Sequence, residues 1–301
     1  MIRWRWVGQG VLAGLLLWFV GGALATQWES FRATPLPLVL RPGWLALSVL
    51  LAVATFGLLI QSWRVALAGW RQSLGWRDLA ETWFVANLGR YLPGKVWSVA
   101  GMIVLAHRRG VETWAATAGA VAIQAIGLGT AVAVVAATLP GTESAVRLGL
   151  AALVAGGTLA VISWPPATAV VRERVPRLSD LRPLPPAALA GCAALTVAGW
   201  VGYGASFWAL SRALGHPPVL SLATATGVFT LGYTVGLLAL FAPGGAVVRE
   251  AVLVALLAPV LGAAPALALS LASRLVLTVT ELLAAAPFLV TYARSASRAA
   301  G

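Results

Sequence analysis

Seven ionisable side chains stand where charge is costly. Arg90, Lys95, Arg249 and Arg274, with Glu81, Glu250 and Glu281, fall inside long apolar stretches. At mid-depth in a bilayer each costs at least about 2.5 kcal/mol, so such groups pair, face a cavity or serve a function. Their chemistry is anion binding rather than covalent catalysis. No Ser/His/Asp set, catalytic carboxylate pair or phosphate-loop motif accompanies them. Lys95 stands apart as the one lysine beside 20 arginines.

What must position these groups is a helix break on each side. Pro93-Gly94 precedes Lys95, and Pro243-Gly244-Gly245 precedes Arg249. Proline removes a backbone donor and glycine permits a sharp redirection, so each break predicts a helix that stops and restarts in mid-span. Restarts at Lys95 and near Ala246 would aim unsatisfied N–H groups, the positive dipole ends, into the interior. With Arg90, Lys95 and Arg249 they predict a phosphate-binding site at depth. Arg274 and Glu281, seven apart, share one helix face, and Glu250 can neutralise Arg249 or Arg274.

The whole chain supports a membrane setting. Its 301 residues are 60% hydrophobic and only 10% charged, with a mean hydropathy of +0.89. A soluble domain carries about a quarter charged residues. That difference excludes an ordinary globular enzyme, a disordered chain and a soluble nucleic-acid binder. The net charge of +12 is not gathered into a patch, and one cysteine with two histidines builds neither a disulfide framework nor a structural zinc site. No metal, cofactor or nucleic-acid partner is expected.

The expected fold is an all-α polytopic membrane protein, a single domain over 1–301. Six full spans read as Val7–Ala25, Pro42–Trp63, Trp114–Leu139, Leu148–Trp164, Ala187–Leu210 and Ala266–Tyr292. Two interrupted stretches, Leu79–Ala106 and Val219–Leu261, read as re-entrant hairpins. For the second, two crossings compete, because Val219–Ala242 could span alone. Thirteen arginines fall on the cytoplasmic side and four outside when both termini are placed in the cytoplasm of a cell-membrane protein. The start of the chain, with Ala23-Leu24-Ala25, also fits a cleavable signal peptide. The breaks lie 150 positions apart. Each follows a full span and a Leu-Gly element (Leu74-Gly75, Leu214-Gly215), so halves 1–139 and 140–301 form an inverted-topology repeat.

Other polar residues have plainer readings. Glu81 is interfacial, and Arg249-Glu250 and Arg274-Glu281 also fit structural ion pairs. Gln124 is expected in an interhelical hydrogen bond. His107 and His216 read as loop residues, Cys192 as inert packing. The tryptophans, including Trp4, Trp44, Trp63, Trp114 and Trp164, read as an aromatic belt. Gly127, Gly129 and Gly199–Gly204 read as close helix packing.

Two of these segments carry a family resemblance. Arg90-Tyr-Leu-Pro93-Gly94-Lys95-Val-Trp97 resembles the Y-(I/L)-P-G-K-(V/I)-W stretch of the lysylphosphatidylglycerol synthase transmembrane-region, or flippase-like, family. Pro243-Gly244-Gly245-Ala-Val-Val-Arg249-Glu250 resembles its P-G-G-L-G-x-R-E motif, with Ala246-Val247 in place of Leu-Gly, and Ser273-Arg274-Leu275 resembles the opening of its last span. The resemblance implies the translocating membrane part. Synthase activity, which belongs to a separate soluble domain, does not carry over. The expectation is therefore a translocator of an anionic phospholipid or polyprenyl-phosphate-linked lipid. Arg90, Lys95, Arg249 and Arg274 would bind the lipid phosphate, with Glu250 and Glu281 as charge partners. A membrane transferase on a lipid-linked glycan and a non-transporting scaffold of an envelope pathway are the alternatives. Its partners would be the lipid itself, a second copy of the chain, or envelope-biosynthesis enzymes.

Overall fold

The computed structural model describes residues 40–91, 96–139, 144–175, 178–216, 218–239, 242, 245 and 247–299. The expected first span Val7–Ala25, the signal-like Ala23-Leu24-Ala25 and the break residues Pro93, Gly94, Lys95, Pro243, Gly244 and Ala246 lie outside the described residues. All described regular structure is helical: α1 Pro42–Gly69, α2 Trp76–Asn87 with a 3-10 turn Leu88–Tyr91, α3 Val96–Arg108, α4 Thr113–Thr138, α5 Ser144–Ser163, α6 Pro165–Arg174, α7 Pro186–Ala213, α8 Leu222–Leu238, α9 Val248–Leu261 and α10 Ala263–Ala299.

Four of these helices, α1, α4, α7 and α10, are long and apolar enough to cross a membrane, and the bent pair α5–α6 makes a fifth candidate. Leu50, Leu153 and Leu283 are each about two-thirds exposed or more, on faces where lipid chains would replace water. The chain is a multi-pass membrane protein.

α1 and α7 are the central pair, antiparallel and tightly packed. Both are 28 residues long with proline in the first turn, where its missing N–H is no loss. Their seam is polar and reciprocal. Ser48 and Ser206 each donate to the other's carbonyl at 2.8 Å. Ser62 donates to the Cys192 carbonyl at 3.1 Å, and the Cys192 thiol donates back to Ser62 at 3.2 Å. Ser48 and Cys192 are 144 positions apart, as are Ser62 and Ser206. Cys192 is buried and free, packed in this seam as the sequence reading expects.

Two antiparallel hairpins follow these long helices. In the first, a Cβ on Gly101 would lie 3.2 Å from Ala86, and one on Gly89 2.8 Å from the backbone of Trp97 and Ser98. In the second, a Cβ on Gly232 would lie 2.9 Å from Leu253, and one on Gly236 2.9 Å from the Arg249 Cβ. α2 and α3, of 12 and 13 residues, reach about 18–20 Å each at about 1.5 Å per residue, short of a hydrocarbon core of about 30 Å. α8 has 17 residues and folds back on α9, so it does not use the full 24 apolar residues that would let it cross alone. Because α1 and α7 run antiparallel, the hairpins that follow them start at opposite ends of the bundle.

Packing between the halves is reciprocal as well. α4 lies against α8 and α10 against α2, while α4 touches α7 and α10 touches α1. The two Leu-Gly elements do not match in role. Gly75 opens α2 as its N-cap with φ −60°, whereas Gly215 follows the end of α7 in the left-handed region with φ 75°. The same dipeptide sits on opposite sides of a turn.

Of the tryptophans assigned to a belt, Trp63 and Trp114 are buried in the core, while Trp97 and Trp164 are more than half exposed. Trp4 lies outside the described residues. Aromatic bulk serves packing here as much as the membrane boundary.

Candidate functional site

The tips of both hairpins line one cavity of about 350 Å³. Asn87, Arg90, Ser98 and Val99 come from the first tip, and Gly236, Leu237, Leu238, Gly245 and Arg249 from the second. α10 adds Arg274, Leu277, Thr278 and Glu281, and α4 and α7 complete the walls. Residues flanking two breaks 150 positions apart in the chain therefore border one cavity.

Among the described residues Arg249 is the most confined cation, only 6% exposed. Its Nη2 donates to Ser273 Oγ at 2.7 Å. Its guanidinium lies over the rings of Phe229 (4.9 Å) and Tyr233 (5.8 Å), whose π-faces attract cations. Nε, buried, has no hydrogen-bond partner, and among the described residues no carboxylate forms an ion pair with Arg249. A buried guanidinium without an anion is costly.

The other two arginines are paired. Arg274 Nε meets Glu250 Oε1 at 2.7 Å, with Nη2 to Oε2 at 3.2 Å, a two-point fork. Arg90 Nη2 lies 3.3 Å from Glu281 and donates to Asn87 Oδ1 at 2.7 Å. Arg90 Nη1 donates to the Tyr233 hydroxyl at 3.3 Å, linking the two hairpins directly. Of the two neutralisation schemes open to Glu250, the structure selects Arg274. Arg274 and Glu281 both reach the cavity from one helix face, but they pair with different elements.

The restart at α9 differs from the expectation of an open helix N-terminus. Val247 caps it at φ 73°, and its N–H donates to Glu250 Oε2 at 2.7 Å. The helix's own carboxylate thus occupies the dipole end. Gly245, at φ 67°, also borders the cavity, and a Cβ there would lie 2.7 Å from the Gly236 carbonyl. Only glycine meets both conditions. Lys95, Pro93, Gly94, Pro243 and Gly244 lie outside the described residues.

The model of the lysylphosphatidylglycerol synthase TM region family matches residues 6–285. The chain belongs to that family. No curated protein matches it significantly. In this family member, the residues singled out in the motifs that the structure describes (Arg90, Gly245, Arg249, Glu250 and Arg274) are gathered at the cavity or pair with a residue lining it.

Several cavity residues lie outside those motifs. Tyr203 and Tyr233, which line it, form with Phe229 behind them a stacked aromatic group with centroids 5.5–6.1 Å apart, beside Trp200. A signal was present, since two of only four tyrosines, Tyr203 and Tyr233, lie in mid-span. Gln124 lines the cavity instead of joining a neighbouring helix by the expected hydrogen bond. Glu81, read as interfacial, receives Arg109 Nη2 at 2.7 Å at the foot of the first hairpin, and Asp78 receives Nε at 3.3 Å. His107 is exposed at the end of α3, its Nδ1 3.1 Å from the Val111 carbonyl. His216 lies in the turn after α7, where burial lowers its pKa.

Proposed function

We propose that the protein is a lipid translocator that binds the phosphate of an anionic phospholipid, or of a polyprenyl-phosphate-linked lipid, between its two hairpin tips and passes it between leaflets. One observation carries this reading: a buried guanidinium, Arg249, faces a cavity with an unpartnered Nε and, among the described residues, no carboxylate paired to it. A phosphate oxygen supplies the missing acceptor and charge. Arg90 and Arg274 border the same space, and Glu281 and Glu250 balance them until a phosphate arrives. A cavity of about 350 Å³ is at the small end of ligand sites, suited to a headgroup while acyl chains stay in the bilayer.

The transport plan is an inverted repeat, α1–α4 against α7–α10, within six full spans that include Val7–Ala25. Supporting it are the antiparallel α1–α7 pair with its reciprocal hydrogen bonds, the exchange of contacts between halves, and hairpins starting at opposite ends. Re-entry of both hairpins, both termini in the cytoplasm and residence in the cell membrane belong to the same proposal. The protein acts on lipid without chemically changing it, alone, as an oligomer, or beside envelope-biosynthesis enzymes.

The test is transfer of fluorescent anionic lipids in proteoliposomes. Arg249→Ala is expected to lower the rate at least tenfold, the loss of about one charge-assisted hydrogen bond. Lys95→Ala is expected to act in the same direction. Arg249→Met, which keeps bulk, serves as the folding control. Intact transfer by Arg249→Ala, or none by the wild type with any anionic lipid, overturns the proposal.

A further inference from the structure

α1 is the first described helix, and its inner sides are taken by α7, α4, α2 and α10. Its outer side is bare along nearly the whole length. Ala46, Leu50, Ala54, Gly57, Gln61 and Arg64 follow at steps of three or four residues, so they form one stripe. Ala46, Leu50, Ala54 and Arg64 are exposed, and Gly57 and Gln61 are only partly buried.

Two residues of this stripe have no use for lipid. The Gln61 amide has no hydrogen-bond partner among the described residues, which is costly on a membrane-facing helix. Gly57 sits in mid-helix, where glycine is less stable than alanine, yet an added Cβ there would meet nothing within 4 Å. Gly127, read from the sequence as a packing glycine, is equally open, but it borders the cavity and Gly57 does not. A second helix uses both features, because small residues let backbones approach and amides bond across helices.

The chain itself supplies such a helix. Residues 1–39 precede the described part, and Val7–Ala25 among them is an apolar run of 19 residues. As a helix it would reach about 28 Å, close to the hydrocarbon thickness of about 30 Å. Consecutive elements are usually neighbours, and the open side of α1 is where such a neighbour fits. Successive spans run antiparallel, so the inner ends of the two apolar stretches, Val7 and Trp63, come level. That fixes the register. Trp6 then faces Arg64, Gln9 faces Gln61, Ala13 faces Gly57, Leu16 faces Ala54, Val20 faces Leu50 and Leu24 faces Ala46. These six positions repeat the spacing of the α1 stripe in reverse, so they too fall on one helix face. The chemistry matches as well. Arg64 gains an aromatic ring, and Gln61 gains an amide that both donates and accepts. Gly57 and the two alanines make room for Ala13, Leu16 and Leu24.

We infer that Val7–Ala25 docks antiparallel on this stripe of α1, in the register that pairs Gln9 with Gln61. The inference rests on the reading of Val7–Ala25 as a full span and is independent of lipid transfer. It makes Ala23-Leu24-Ala25 part of a helix contact instead of a cleavage signal. Leu50 then meets protein, while Leu153 and Leu283 keep lipid.

The experiment is disulfide cross-linking of the full chain in its membrane, on a Cys192→Ser background because Cys192 is the single cysteine. A disulfide needs Cβ atoms about 3.5–4.5 Å apart. Ala13→Cys with Gly57→Cys, and Leu24→Cys with Ala46→Cys, are each expected to close within one chain. They should close as fully as the control pair Ser48→Cys with Ser206→Cys, whose hydroxyls lie 3.1 Å apart. Ala13→Cys with Leu50→Cys, out of register, is expected to stay open. Closure of Ala13→Cys with Gly156→Cys, on the exposed face of α5, overturns the docking. So does a disulfide between two copies, closure at Leu50 in place of Gly57, or no closure at the aligned pairs while the control closes. Intact mass separates the two kinds of failure. A chain that has lost residues 1–25 removes the span as well, whereas a full-length chain without the aligned disulfides removes the docking alone.

Discussion

The two hairpins share a shape and differ in how they are held. The first is clasped by charge at its foot, where Arg109 bridges Asp78, Glu81 and the Thr82 hydroxyl. Both are held along their length by close approach at glycine, Gly89 and Gly101 in the first and Gly232 and Gly236 in the second, but among the described residues the foot of the second has no ion pair. At the tips the burial reverses. The first presents Arg90, partly exposed and paired to Glu281, and the second buries Arg249 against aromatic rings. One hairpin thus places its ionic bonds near the bundle's end, where water screens them, and the other places its key charge where nothing does.

That contrast can be broken from the second hairpin first. Arg274→Ala strands the Glu250 carboxylate, and breaking a buried pair costs about 3–5 kcal/mol. The expected result is a large loss of thermal stability in detergent, partly restored by adding Glu250→Gln. Little loss would mean that the pair is well solvated. Next, Gly236→Val drives a side chain into Arg249 and should cost about 1–3 kcal/mol by overpacking. A neutral Gly236→Val would refute the close seam. Smaller is Arg109→Ala, at about 1 kcal/mol for a partly exposed ion cluster. The stability gap between wild type and this variant should narrow in high salt, unlike that for Gly236→Val.

The smallest effect is a pH dependence near the first hairpin's foot. The Trp114 indole, and then the Gln72 amide, hold the Glu112 carboxyl below its ordinary value of 4.5. A depressed carboxyl contributes stability that is full above the unfolded value and is lost as pH falls through the folded one. Wild-type melting temperatures should therefore drop below about pH 4.5, and Glu112→Gln should remove that part of the drop. An unchanged profile would show that the indole bond does not form in solution.

Much of the fold was legible because apolar length and Pro-Gly breaks are local properties. Pro42–Trp63, Ala187–Leu210 and the two interrupted stretches reappear as α1, α7 and the hairpins. Arg249 and Arg274 were legible because charge inside an apolar run is conspicuous. Gln124 and Gly127 were misread because a polar amide or a glycine on an apolar helix has the same local signature whether it faces a neighbour or a cavity. The Glu250 cap of α9 was missed because it depends on Val247 adopting φ 73°, which no propensity of valine suggests.

The sequence by itself determined that this chain lives in a membrane, where its helices break and which charges are out of place. Those follow from transfer free energies and backbone sterics acting over a few residues. Only the tertiary structure decided that the flanks of both breaks border one cavity, that Glu250 serves Arg274 and Glu281 serves Arg90, and that no carboxylate among the described residues pairs with Arg249. Pairing among these charges depends on distances between segments up to 191 positions apart, such as Arg90 and Glu281. Those distances are set by the antiparallel packing of α1 on α7, in which every side chain must find its partner at once.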